Sequence, residues 1–492
     1  MKFPLPFSRN KNVVFRPDRL PPLKATEQSV TPSSRPRTEN TLIARLRQAA
    51  DYYARTYPAR VAVGIFATII AIVTGLLSLP IATTSGQRAP FADALFTATS
   101  AVCVTGLVTV DTASYWSPFG QVVLAIAISI GGLGVMTLAS ALGLAVSHHL
   151  GLTQRLLAAS ETKTSSLGQL GSLLKAVVVT ALTVDFLLFL VLLPRFLTLE
   201  NDFAHSVWYA LFTAISIFNN AGFIILPGGL APFTSDIWMI TPIILGTFLG
   251  AIGFPVMRDL SANWRTPKRL SLHTKLTLVV YFALYIVNVI LVGASEWQNE
   301  ATFGKLSVLD RVMHSLLAGA NSRTSGISIV DMSEMTRGTW FIQDIFMFIG
   351  GGSASTAGGM KVTTFAILAL AVLAEARGDR DIEVFGRRIP PSTVRVAIAV
   401  TLIGSFIVAA ATLVMLLITP FSLDQALFET ISAFATVGLS TGITPLLPDG
   451  AKYLLTLLMF LGRVGTMTFA AALALRSRRR VIRLPEESPI VG

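Results

Sequence analysis

The sequence predicts an all-α integral membrane protein made of four pseudo-symmetric helix/pore-helix/helix repeats: eight transmembrane helices plus four re-entrant pore helices around one central pore. Three observations predict it. The 492 residues are 52% hydrophobic and only 13% charged, with a mean hydropathy of +0.66, far from the balance of an ordinary soluble domain. Apolar stretches of about 20 residues, the length that crosses hydrocarbon, recur along the chain. Two glycine-bearing motifs recur together four times.

The apolar spans read at 57–79, 119–145, 176–197, 238–257, 274–294, 339–373, 394–419 and 453–475. As helices, they satisfy their own backbone hydrogen bonds in lipid. Residues 1–56 read as a basic tail with Pro4, Pro6, Pro17, Pro21 and Pro22, too poor in apolar surface to fold alone and without the apolar core of a signal peptide. A second basic tail covers 477–492.

The net charge of +12 follows the loops. Arg155, Lys163 and Lys175, then Arg258, Arg265 and Lys268, then Arg377, Arg380 and Arg387, and finally Arg476, Arg478 and Arg479 lie in alternate connections. The positive-inside rule puts these connections and both termini on the cytoplasmic side of a plasma membrane. Asp111, Glu200, Asp236, Glu300, Asp331 and Asp449 mark the other side. Basicity that tracks membrane topology is no sign of nucleic-acid binding. Cys103 is the one cysteine, which excludes an intrachain disulfide and a cysteine metal cluster.

The first recurring motif is FTATSAVCVTGL at 96–107, FTAISIFNNAGF at 212–223, LLAGANSRTSGI at 316–327 and FETISAFATVGL at 428–439, ending at Gly106, Gly222, Gly326 and Gly438 plus an apolar residue. The second, one helix later, is ISIGGLGVMT at 128–137, TFLGAIGFPV at 247–256, MFIGGGSAST at 347–356 and MFLGRVGTMT at 459–468. They divide the chain into repeats 57–150, 151–260, 261–380 and 381–476.

The segment entering each first motif, such as PFADALFTATSAV at 90–102, is too short to span the bilayer and reads as a re-entrant half-helix. Extended backbone after it is tolerated at membrane depth only if it is buried in protein or lines a water-filled cavity. The carbonyls of Val104 and Thr105, Asn220 and Ala221, Thr324 and Ser325, and Thr436 and Val437 would then face the axis, each pair followed by a conformationally permissive glycine. Rings of carbonyls replace the hydration shell of a monovalent cation, and the C-terminal ends of the half-helices reinforce that preference. Close helix packing through small residues accounts for one such motif, but not for four in register.

The third copy of the second motif runs into GGGSASTAGGMK at 350–361. Gly350, Gly351, Gly352, Gly358 and Gly359, with Ser353, Ser355 and Thr356, interrupt the span, and Lys361 closes it, either reaching the inner surface or serving the interruption. The spacing is not that of a phosphate loop. No histidine lies near enough to activate a serine. A flexible polar constriction in the path, a gate, is the reading that remains. Arg463, in FLGRVGT at the matching level of the fourth repeat, is a costly intramembrane charge. It either holds the loop's carbonyls or pairs with a carboxylate. Asp185 reads as a helix–helix hydrogen bond, His148–His149 as interfacial, and Cys103 as packing behind the first motif.

Over 57–476 the chain resembles the superfamily of potassium transporters that includes bacterial Trk and Ktr and plant HKT proteins. TSAVCVTGLVTVDT at 99–112, NNAGF at 219–223, RTSGISIVD at 323–331 and TVGLSTG at 436–442 look most like the Ktr membrane subunits. The resemblance implies a non-enzymatic potassium-selective uptake channel or transporter in the bacterial inner membrane, a homodimer with one pore per protomer. It implies K+ at the filter carbonyls as the transported ion, no other cofactor, and a cytosolic ring of KtrA-type nucleotide-binding regulatory subunits; it leaves sodium activation open. Glycine at all four filter positions matches the potassium-selective pattern, while Ile327 stands where phenylalanine is more usual. A sodium- or ammonium-permeable relative, or a membrane enzyme using the Gly/Ser loop, are the alternatives.

Overall fold

The computed structural model describes residues 58–148, 166–199 and 202–465. These belong to one compact unit, Ala54–Gly492. The tails at 1–56 and 477–492, His149 and the end of the last predicted span lie outside the described residues.

The first unit comprises α1 (Pro58–Leu77), a short α2 (Phe91–Val102) and α3 (Pro118–His148). The second has α4 (Ser166–Leu199), α5 (Phe203–Asn219), α6 (Ile237–Ile252) and α7 (Phe254–Asn263). In the third, α8 (Leu272–Glu296) and α9 (Val308–Asn321) precede α10 (Arg337–Phe348) and α11 (Val362–Arg377). A two-stranded hairpin, β1 (Ile382–Val384) against β2 (Arg387–Ile389), leads to α12 (Pro391–Ile418), α13 (Leu423–Ala435) and α14 (Asp449–Phe460).

Polar residues start three of the four short helices at defined points, while α2 follows Pro90 without a side-chain cap. Asp202 accepts from the Ala204 amide at the start of α5, Ser307 from Asp310 at α9, and Ser422 forms a capping box with Gln425 at α13. Each satisfies an amide that has no partner inside its helix.

Arg60–Leu77, Leu174–Leu199, Leu272–Glu296 and Pro391–Ile418 are each long and apolar enough to cross a membrane, a multi-pass fold. The span expected over 238–257 is not one helix. It bends by 97° between α6 and α7, because Gly253 takes φ +93° and Pro255 enters the first turn of α7 without an amide hydrogen. The last span also departs from a plain helix: α14 ends at Phe460 and a π-helical turn occupies Leu461–Gly465.

The four units close on one another in chain order. The helix that follows the glycine turn of each unit packs against the short helix of the next: α3 on α5, α6 on α9, α10 on α13, and α14 back on α2. A largely buried ion pair, Lys452 Nζ to Asp93 Oδ1 at 2.7 Å, joins the fourth unit to the first at that last contact.

Candidate functional site

Each short helix ends in the same backbone shape. Val104, Asn220, Thr324 and Thr436, at one position of the recurring motif, have φ of 54°, 57°, 81° and 50°. Three of them are β-branched, for which the left-handed region is a true outlier. Such residues cost about 1–3 kcal/mol each and persist where the surroundings over-determine them. Two residues on, Gly106, Gly222, Gly326 and Gly438 also take positive φ, at 95°, 72°, 66° and 91°.

These glycines form a closed ring. A Cβ on Gly106 would lie 2.7 Å from the Ala221 carbonyl oxygen, on Gly222 3.2 Å from that of Ser325, and on Gly326 2.6 Å from that of Val437. On Gly438 it would overlap the carbonyl oxygen of Thr105, which completes the circuit. No side chain fits at any of the four positions.

The eight residues before the glycines, Val104–Thr105, Asn220–Ala221, Thr324–Ser325 and Thr436–Val437, are fully buried. Several of their amides are used locally: Thr105 N donates to Ser100 O at 2.8 Å, Ala221 N to Ser216 O at 2.8 Å and Val437 N to Ser432 O at 2.9 Å. Their carbonyls are not: among the described residues none of the eight accepts a hydrogen bond. Buried backbone oxygens are otherwise almost always paired.

The Gly/Ser loop lies against these turns. Gly352 N donates to Ala251 O at 2.8 Å, and Phe254 N at the α6–α7 break donates to Ala354 O at 3.2 Å. Asn220 Nδ2 donates to Thr356 Oγ1 at 2.7 Å. Ser355 Oγ folds back on Gly352 O at 2.6 Å, Ser353 shares a hydrogen bond of 3.0 Å with Thr363, and Lys361 Nζ caps the Ala357 carbonyl. Gly358 and Gly359 pass beside Ala435 and Thr436 of the fourth turn, too close for a Cβ on Gly358. Gly350 and Gly351 are similarly enclosed, by the Gly358 and Ala251 carbonyls.

Arg463, in the π turn, is 1% exposed and donates from Nη1 to the Thr356 carbonyl. No carboxylate pairs with it among the described residues. Asp185 does not make the expected helix–helix hydrogen bond: its Oδ1 is buried without a partner among the described residues. Of the exposed positions around it on α4, Leu182, Phe186 and Leu187 are apolar, and the Thr183 hydroxyl donates to Val179 O instead.

Sequence reasoning missed Arg323. It sits beside Thr324, is fully buried, and donates from Nη1 to Ile349 O at 2.9 Å at the root of the loop. The signal was available: a second arginine inside an apolar repeat is as costly as Arg463. Gly131, Gly250 and Gly462 were seen as a pattern without a role. In the structure a Cβ on each would overlap the carbonyl oxygen of Val102, Phe218 and Phe434, the matching position of each short helix. In the third unit the loop itself takes that place.

The profile of the TrkH family, cation transport protein, matches residues 46–480. The chain is 36% identical over 437 residues to the Ktr system potassium uptake protein B of Bacillus subtilis (strain 168), covering 89% of this chain and 97% of that protein. It is 32% identical over 448 residues to the potassium/sodium uptake protein NtpJ of Enterococcus hirae, covering 89% and 98%. The crystal structure of the potassium transporter TrkH from Vibrio parahaemolyticus superimposes with a TM-score of 0.64 at 18% identity over 84% of each chain, a shared fold. The chain therefore belongs to the Trk/Ktr/HKT superfamily of potassium transporters, close to the Ktr B, Ktr D and NtpJ proteins, a family of transport proteins and not of enzymes.

Proposed function

We propose that the chain is the pore-forming subunit of a potassium uptake system. The observation that carries the proposal is the ring of eight buried carbonyls that have no hydrogen-bond partner among the described residues, closed by four glycines. An unpaired buried carbonyl costs about 1–3 kcal/mol. A desolvated potassium ion, coordinated in place of its hydration shell, offsets that cost. The four turns are then the selectivity filter, entered by four re-entrant pore helices within eight transmembrane segments. The Gly350–Lys361 loop is the gate below it, held by Arg463. The membrane potential drives uptake with about 2.3 kcal/mol per charge per 100 mV.

The relatives' names support the cargo, potassium uptake in one case and potassium/sodium uptake in another. The family resemblance implies a homodimer in the plasma membrane with a KtrA-type nucleotide-binding ring on its inner face, and the distribution of basic residues favours cytoplasmic termini. Sodium permeation is the second reading, favoured by the NtpJ likeness.

Rubidium uptake into cells lacking their own potassium uptake systems tests the cargo. Uptake suppressed by potassium and unaffected by equal sodium or ammonium supports potassium selectivity. Equal suppression by sodium supports the second reading, and no uptake above the empty vector contradicts both.

A further inference from the structure

Arg323 touches both halves of the proposed machinery. Its backbone immediately precedes Thr324, the strained residue of the third turn, and its guanidinium reaches Ile349 O at 2.9 Å and Gly350 O at 3.4 Å, where α10 gives way to the loop. No carboxylate balances it among the described residues. Its charge lies instead 5.3 Å from the Tyr281 ring centroid and 5.7 Å from that of Phe346, cation–π contacts that are strongest where water is excluded.

We propose that Arg323 is a positioning residue that couples the filter to the gate, so that displacement of the 350–361 loop reshapes the third filter turn and alters ion selectivity. The inference rests on reading the four turns as the filter and the loop as the gate. Two features single Arg323 out from Arg463. Arg463 grips the middle of the loop from a helix outside the turns; Arg323 grips its root from within a turn. Thr324 has the largest φ of the four left-handed residues, 81°, so the third turn is the one held furthest from the common shape. Among the described residues Nε and Nη2 of Arg323, like those of Arg463, have no partner, which leaves donors to follow the root carbonyls when the loop moves while the aromatic seat holds the charge.

A second tether, from the neighbouring turn, supports the same coupling. Asn220, the left-handed residue of the second turn, donates its side-chain amide to Thr356 Oγ1. The loop thus hangs from two filter turns by side chains that leave the turns' own carbonyls unoccupied.

The test is rubidium uptake by the full-length protein without its partner, read both as a rate and as the sodium concentration that halves it. Variants are compared at equal membrane levels: intact, Arg323→Gln, Arg323→Lys, Tyr281→Leu, Arg463→Gln and Gly438→Asp. Arg323→Gln is expected to raise the rate and lower the half-inhibiting sodium concentration by about threefold or more, as a shifted two-state equilibrium does. Arg463→Gln is expected to raise the rate alone. Tyr281→Leu, which unseats the guanidinium, follows Arg323→Gln in direction, and together with Arg323→Lys it carries the test if Arg323→Gln does not reach the membrane. Sodium sensitivity unchanged in Arg323→Gln or its substitutes, whatever the rate, overturns the coupling. Normal uptake by Gly438→Asp overturns the filter reading itself. Abolished uptake there, with unchanged sodium sensitivity in the Arg323 variants, overturns the coupling alone.

Discussion

Gly438 in the fourth turn faces the carbonyl oxygen of Thr105 in the first, so closely that a Cβ at 438 would overlap it. That contact joins the end of the chain's fourfold pattern to its beginning. Together with φ of +91° at Gly438, it makes alanine there doubly unfavourable, by strain and by collision. Gly438→Ala should reduce rubidium uptake by at least about tenfold, the equivalent of 1.4 kcal/mol, at equal membrane levels. Gly228→Ala separates the two causes: φ there is +76° but nothing lies within 4 Å of the new Cβ, and uptake should be retained.

The glycines packed on the ends of the short helices predict stability and not selectivity. A Cβ on Gly462 would overlap the Phe434 carbonyl oxygen, whereas one on Gly64 in α1 meets nothing within 4 Å. Gly462→Ala should therefore lower the melting temperature in detergent, reflecting an overpacking cost of about 1–3 kcal/mol. Gly64→Ala should leave it unchanged or raise it, since alanine is the better helix former.

Arg463 and the loop predict a leak. The hydrogen bond from Arg463 to the Thr356 carbonyl involves a charged donor, a class worth about 1.5–3 kcal/mol. Arg463→Gln, and more so deletion of residues 352–357, should speed uptake in the absence of a cytosolic partner. Uptake rates in partner-free cells check this, and slower uptake in both variants counts against a gating role.

The ion pair between Lys452 and Asp93 predicts non-additivity. Both side chains are nearly buried, at 12% and 11% exposure. Lys452→Met strands a carboxylate and should cost about 3–5 kcal/mol. Adding Asp93→Asn should recover most of that loss, because both charges are then gone. A double-mutant cycle on thermal unfolding measures the coupling.

Much of this architecture was legible in the sequence because glycine spacing records backbone contacts directly. Gly106, Gly222, Gly326 and Gly438 mark places where chains approach too closely for a side chain, and those places lie at one position of a repeat. The left-handed conformations two residues earlier were not legible. Asn220 is a residue that tolerates this region, but Val104, Thr324 and Thr436 are not, so only the packing of four turns on one another imposes it. The break in the second unit was hidden by continuous hydrophobicity over 238–257: Gly253 and Pro255 were visible, yet glycine and proline are common in unbroken membrane helices. Arg323 escaped notice because its neighbours in RTSGISIVD read as filter, and a tertiary contact to residue 349 has no local signature.

The measurement closest to the central claim is anomalous diffraction from crystals of the full-length protein grown in rubidium. The account predicts density on the axis enclosed by Gly106, Gly222, Gly326 and Gly438, within coordination distance of carbonyls from all four turns, and its loss in Gly438→Asp. Ordered rubidium found only elsewhere in a protein that transports it would contradict the account.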